Sequence, residues 1–392
     1  MEFVLQQPGT ARLLAAIDDA ASGADSGGGA FAFASKGGID ALFDCPNIAQ
    51  MLKNGHPFHL IIGIDAITNA EALLCLHDKL ELFPESLSID IFSHEYPSSI
   101  FHPKFCWFQQ GDMLRLVTGS GNLTLRGLGQ ASEDGPPLGN WEAFSVQSLT
   151  DGSAAAAQTE IQNWLAAQRA AGTLRSHNDE KVRERAMANG RVRFISRTAE
   201  VTPAAATAAD EVLVPSRSTT LIDDVVLSTP EVLIREVSQN RSGQGDVGKK
   251  ALEEFFGYAG TKKTILIQHV AMNNTLGAVY ETSLHVNKSK NYRVELRAIA
   301  EFKDRNQTHG GDDSRMILVA VKLDLRSFRY TIVPVTDENY TQLSTLLGPI
   351  PPANKANKRH MRESFLTPEA LLAVWLAAPS NLLPVTLLTP EP

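Results

Sequence analysis

The residues best suited to chemistry lie in two segments, Phe101-His102-Pro103-Lys104-Phe105-Cys106-Trp107-Phe108 and Thr118-Gly119-Ser120-Gly121-Asn122-Leu123-Thr124. Strand residues two apart share a face, so His102 and Lys104 should project together. The second segment ends a strand in a Gly-Ser-Gly turn that offers Ser120 and Asn122 with little steric cover. If the two strands are neighbours, an imidazole, an ammonium, a hydroxyl and an amide meet at one sheet edge. That set suits a tetrahedral phosphate. An imidazole can attack phosphorus, while Lys and Asn hold the non-bridging oxygens and offset the charge that builds in the transition state.

The pattern resembles the phospholipase D superfamily, whose motif runs His-x-Lys, four residues, Asp, six residues, then Gly-Ser-x-Asn or Gly-Gly-x-Asn. His102, Lys104, Ser120 and Asn122 match it residue for residue. The departure is in spacing: seven residues, not four, separate Lys104 from Asp112, which reads instead as a turn residue before the next strand. Glu142, in Asn140-Trp141-Glu142-Ala143-Phe144, stands where nucleases of this superfamily carry an acid that hydrogen-bonds the catalytic histidine. The resemblance extends over residues 1–175. It implies a phosphodiesterase with a phosphohistidine intermediate and without metal or cofactor, the lysines carrying the charge that a metal carries elsewhere.

Members of the superfamily build one active site from two motifs, one histidine attacking and the other protonating the leaving oxygen. This chain has one. His77-Asp78-Lys79 has the tripeptide but falls in an expected helix with no Gly-Ser-x-Asn beyond it, and His285 is followed by Lys288 rather than by a lysine two residues on. The expectation is a homodimer with a site shared by two chains. Single-motif members include metal-independent restriction endonucleases with a β-rich, B3-like DNA-binding C-terminal domain. The resemblance thus implies DNA as partner, defence against foreign DNA as setting, and some separate regulatory or modification protein. A lipid or small-phosphodiester hydrolase, or a catalytically silent nucleic-acid-binding protein, are the alternatives.

Positioning these residues requires a layered α/β domain. Hydrophobic periodicity predicts a helix over 13–21, a flexible stretch over 22–29, and strands over 30–35, 60–65, 87–92, 104–108, 114–118 and 142–147. Helices are expected over 69–83, 158–171 and 178–188, with a short extended piece at 192–195. The expected fold is an α/β phospholipase D-like domain over 1–197, a linker over 198–212, a mostly-β domain (barrel or sheet, B3-like) over 213–348, and a connector with a C-terminal helix over 349–392. In the β-rich part, strands are expected at 225–227, 263–270, 292–302, 316–323 and 329–335, with one helix at 249–256. Thr367-Pro368-Glu369 starts the last helix, threonine as cap and proline at the first helical position.

The 392 residues are 43% hydrophobic and 20% charged, which excludes wholesale disorder. No apolar run is long enough to span a bilayer. Three cysteines, Cys45, Cys75 and Cys106, have no metal-ligand spacing, and a reducing cytoplasm is the expected setting. The charge of −8 is uneven: residues 1–150 hold 7 Lys/Arg against 17 Asp/Glu, whereas residues 235–305 hold 12 against 8. An anionic polymer should therefore land on the second half. There Arg235, Asn240, Arg241, Gln244, Lys249 and Lys250 are candidates for base-edge and phosphate contacts, and Lys288, Lys290 and Arg293 for phosphate contacts in a second turn. Both stretches also fit solvated polar loops. Glu301-Phe302-Lys303 on a strand, with Glu295 or Glu281, could be part of a metal-dependent nuclease site. His56-Pro57-Phe58-His59 lacks a completing acid.

Overall fold

In the computed structural model the described residues are 1–96, 99–129, 139–189, 231–237, 243–286, 292–303, 309–310, 314–348 and 361–383. They form two mixed sheets, of eight and nine strands, each with its own hydrophobic core.

The first sheet contains β1 (Glu2–Gln6), β2 (Ser26–Phe31), β3 (Phe58–Gly63), β4 (Leu87–Phe92), β5 (Lys104–Gln110), β6 (Met113–Gly119), β7 (Glu142–Leu149) and β8 (Leu174–Arg175). Its order is β1-β7-β6-β5-β2-β3-β4-β8, with β2, β3 and β4 parallel and the other pairs antiparallel. The helices are α1 (Arg12–Ala21), α2 (Lys36–Phe43), α3 (Pro46–Lys53), α4 (Ala70–Leu82), α5 (Leu125–Leu128), α6 (Asp151–Ala170) and α7 (Glu180–Asn189). One face of the sheet buries Ile17, Ile39, Ile48, Leu73 and Val182 from α1, α2, α3, α4 and α7. On the other face Trp107 and Leu114 pack with Ala154, Ile161, Trp164 and Leu165 of α6.

Most expected elements are present. The helix expected at 69–83 is α4, capped by Asn69, whose side-chain oxygen accepts the Ala72 N–H at 3.0 Å. The flexible stretch expected at 22–29 is instead half occupied by β2. Its Gly-Gly-Gly run is there for packing: a Cβ on Gly28 would lie 2.1 Å from the Trp107 ring and 2.5 Å from the His59 carbonyl oxygen. The two short helices α2 and α3 were not expected, and α6 begins at Asp151 rather than at 158.

The second sheet contains β9 (Val232–Val237), β10 (Gln244–Asp246), β11 (Lys263–Val270), β12 (Leu276–Val286), β13 (Tyr292–Glu295), β14 (His309–Gly310), β15 (Ser314–Lys322), β16 (Ser327–Val333) and β17 (Glu363–Leu366). Its order is β10-β13-β12-β11-β16-β15-β9-β17, with β14 on β15. The mostly-β expectation is met as a sheet with a core on each face. The strand expected over 292–302 stops at Glu295 and turns into a 3-10 helix, Arg297–Glu301. The hydroxyls of Tyr280 and Tyr330 accept the Arg297 and Ala298 N–H groups, each at 3.2 Å, and so replace the ladder partners that would have extended it. Glu301-Phe302-Lys303 is therefore not on a strand, and the metal-nuclease arrangement considered for it fails. β17 pairs with β9, which ties residues beyond the expected connector to this sheet. Residues 192–195, 198–212, 225–227 and 349–358, expected as strand, linker, strand and connector, lie outside the described residues.

The two sheets meet through α4 and α7. Arg326, nearly buried, donates to Asp78 at 2.7 Å, and Arg183 faces Glu281 at 3.7 Å. Ala70, Leu74 and Met187 pack with Leu266, Val279 and Leu323. Among the described residues no helix is long and apolar enough to cross a membrane. All three cysteines are free and buried.

Candidate active site

Backbone register brings the two motif segments together. β5 and β6 form a hairpin in which Phe105 faces Thr118, so Lys104 lies level with Gly119. On the far side of β6, Gly119 faces Phe144 of β7, and the Ser120 N–H continues the ladder to the Ala143 carbonyl at 3.0 Å. His102, Lys104, Ser120 and Glu142 are thereby gathered from three adjacent strands at one end of the sheet. Asp112 is in the turn at the opposite end of the same hairpin, away from the site, as its spacing suggested.

The glycines of the second segment permit this closeness. A Cβ on Gly119 would stand 2.5 Å from Phe144 Cβ. The loop after it is fastened to the start of α2: the Ser35 N–H donates to the Leu123 carbonyl at 2.9 Å, and the Leu123 N–H to the Phe33 carbonyl at 3.1 Å. Thr124 then caps α5, accepting the Gly127 N–H at 3.0 Å. Asn122 is held in a loop bound at both ends.

Within the site, Lys104 Nζ lies 3.0 Å from His102 Nε2 and 3.1 Å from the His102 carbonyl oxygen. An ammonium can only donate, so His102 Nε2 presents its lone pair in this contact. Burial holds the Lys104 ammonium below its ordinary value, with the Glu142 carboxylate partly opposing the shift. Ser120 Oγ donates to Glu142 in a short contact and accepts the Ala143 N–H at 3.1 Å. The other Glu142 oxygen accepts from Asn140 Nδ2 at 3.3 Å. Glu142 was expected to hold the imidazole of His102; within the chain it holds Ser120 and Asn140. Asn140 was not singled out from the sequence, where nothing but its nearness to Glu142 marked it. Asn122 Oδ1 is buried with no hydrogen-bond partner among the described residues. His102 and Ser120 are exposed, and Lys104, Asn122 and Glu142 half-buried.

The candidates in the second half fare differently. Arg235 is not available to a groove: it is 8% exposed and ion-paired with Glu363 across β9 and β17. That pairing, and the neighbouring one of Glu236 with Arg362, neutralises charges in mid-strand. Lys249 and Lys250 are exposed, opposite Glu253 and Glu254 at 3.8 and 4.0 Å, and Lys250 Nζ also stands over the Phe365 ring. Arg293 is half-buried on β13, and Gln244 opens β10 opposite Glu295. Asn240, Arg241, Lys288 and Lys290 lie outside the described residues.

His77-Asp78-Lys79 is spent on structure, its side chains meeting His177, Arg326 and Asp40 respectively. His59 does have an acid partner, Asp90 on β4 at 2.9 Å, forming an ion pair with Arg169 nearby. Among the described residues no group of three His, Cys, Asp or Glu side chains is arranged to hold a metal ion.

No protein-family model matches the chain, and no curated protein matches it. Among solved structures it is similar to phosphatidylserine synthase of Haemophilus influenzae Rd KW20, at 16% identity and a TM-score of 0.29 over 42% of this chain and 38% of that one. It is also similar to the N-terminal domain of LlaJI.R1 of Helicobacter pylori, at 13% identity and a TM-score of 0.23 over 33% of this chain and 96% of that one. The chain thus spans well under half the length of the synthase. Both likenesses are distant, and what the site can do follows from its own residues.

Proposed function

We propose that this chain is a phosphodiesterase of the phospholipase D type that cleaves DNA as a homodimer without a metal ion. The observation that carries the reading is the Lys104–His102 contact at 3.0 Å, on the strand paired with the one that ends in Gly119-Ser120. In the proposed reaction, His102 Nε2 forms a bond to the scissile phosphorus while the phosphorus–oxygen bond to the leaving group breaks. The leaving oxygen takes a proton from His102 of a second copy. That second imidazole then accepts a proton from water, whose oxygen displaces the phosphohistidine. Lys104 moves from His102 Nε2 to the phosphoryl oxygens, joined by the amide nitrogen of Asn122, and Ser120 assists from its place on Glu142.

Two features support a half-site completed by another copy. The motif occurs once, and His102 stands exposed rather than in a cleft. In this reading the second sheet, B3-like in role, positions the DNA. Lys249, Lys250 and Arg293, with the candidates outside the described residues, are its contacts in a defence nuclease.

The lipid alternative would use exposed apolar side chains, and Phe3, Leu5 and Trp141 at the β1 edge of the sheet are 65%, 62% and 72% exposed. Supercoiled plasmid in excess EDTA, with wild type beside His102→Ala, tests the main reading. Nicking or linearisation by wild type alone is the expected result. Intact plasmid together with hydrolysis of phospholipid vesicles would transfer the assignment to lipid.

A further inference from the structure

A buried polar cluster lies directly behind His102, and nothing in the proposed reaction uses it. It forms where the ends of β3 and β4 meet the start of β5. Asp65, just past β3, accepts the Phe101 N–H through Oδ2 at 2.7 Å. The same oxygen lies 3.4 Å from His94 Nε2, and Oδ1 lies 3.5 Å from the Arg185 guanidinium on α7. Arg185 also donates to the His94 carbonyl at 2.6 Å, and His94 Nδ1 accepts the Tyr96 N–H at 3.1 Å. With Nδ1 occupied by that bond, the ring turns Nε2 towards Asp65. The Asp65 and His94 side chains are only 10% and 7% exposed.

Phe101 is held on its other side by stacking, its ring 4.2 Å from that of Phe92 and 6.1 Å from that of Trp164. The residue before His102 is thus fixed through both main chain and side chain, while His102 itself is exposed. Pro103 follows and restricts the backbone of His102. A carboxylate placed between an arginine and a histidine, with one oxygen turned to a single backbone N–H, is a rigid anchor for that N–H.

We propose that Asp65 is a positioning residue for His102, its carboxylate set by Arg185 and His94 and acting through the Phe101 N–H. This rests on the reading of His102 as the nucleophile, so the test uses one readout that depends on activity and one that does not. The first is hydrolysis of bis(p-nitrophenyl) phosphate. The second is the rate at which diethyl pyrocarbonate modifies His102, followed by peptide mass spectrometry.

Asp65→Ala removes the acceptor, whereas Asp65→Asn keeps an oxygen for the Phe101 N–H and loses the charge. In Asp65→Ala, kcat should fall by about a hundredfold, the size of effect that follows a misplacement of about 1 Å, with KM little changed. His102 should be modified several-fold faster, because a loosened segment frees Nε2 from Lys104. Asp65→Asn should recover part of both, and Arg185→Met should resemble it, which keeps the test intact if the alanine variant does not fold. Folded variants with the wild-type modification rate at His102 and wild-type kcat overturn the proposal. If wild type shows no turnover, the phosphodiesterase reading fails, and the modification rates still decide whether Asp65 positions His102.

Discussion

At the scale of single residues, the site is a balance of charges around one imidazole. Lys104 is depressed by burial and partly restored by Glu142, so removing the carboxylate should depress it further. If Lys104 must be protonated to hold the phosphoryl oxygens, activity declines at alkaline pH as it deprotonates. The Glu142→Gln variant should show that alkaline limb at lower pH than wild type in a kcat profile. A limb that stays in place would separate Glu142 from Lys104. Lys104→Met should cost about two to three orders of magnitude in kcat, the usual loss when one group stabilising transition-state charge is removed. His102, Lys104, Ser120 and Asn122 could be picked out of the sequence as candidates because the proposed chemistry depends on residue type at short spacing. The partners of Glu142 were not, because Ser120 reaches it only through the β6–β7 register, which no local pattern encodes.

At the scale of elements, β2 is a segment whose local preference was overruled by packing. Three glycines in β2 read as a flexible loop, yet Gly28 leaves room for the Trp107 ring. Gly28→Ala should therefore destabilise the protein by about 1–3 kcal/mol through overpacking, measured as a fall in the urea midpoint. An unchanged midpoint would mean that Trp107 has space to retreat. The junction of α4 with the segment before α7 carries a pH dependence of its own. Burial, with His77 and Arg183 alongside, pushes His177 down to about 4 from 6.5. The folded state then binds fewer protons than the unfolded chain between these values, so stability present above about pH 6.5 is lost as pH falls towards 4. Urea midpoints at pH 7 and 4.5 should differ less in His177→Asn than in wild type, and an equal difference would exclude His177 as the titrating group.

At the scale of the whole molecule, two sheets with separate cores are joined through α4 and α7, and one of the ion pairs there is asymmetric. Arg326 is nearly buried and Asp78 half-exposed, so Asp78→Asn leaves a buried cation with a weaker partner. The expected loss is about 1.5–3 kcal/mol, as for a hydrogen bond to a charged group, seen as earlier urea unfolding of the second sheet. The chain's own order of residue types determined the motif, most strands of the first sheet and the β-rich character of the second half, because each is a matter of local spacing and alternation. Tertiary structure alone decided which of these residues meet. It gathered Lys104, Ser120 and Glu142 from three strands and set Asp65 behind His102. It also closed Arg235 onto Glu363, turning an apparent nucleic-acid contact into part of a sheet. The physical reason is that register and burial are fixed by contacts between segments far apart in sequence, and a charged side chain reads the same in solvent or in an ion pair until its partner strand is in place.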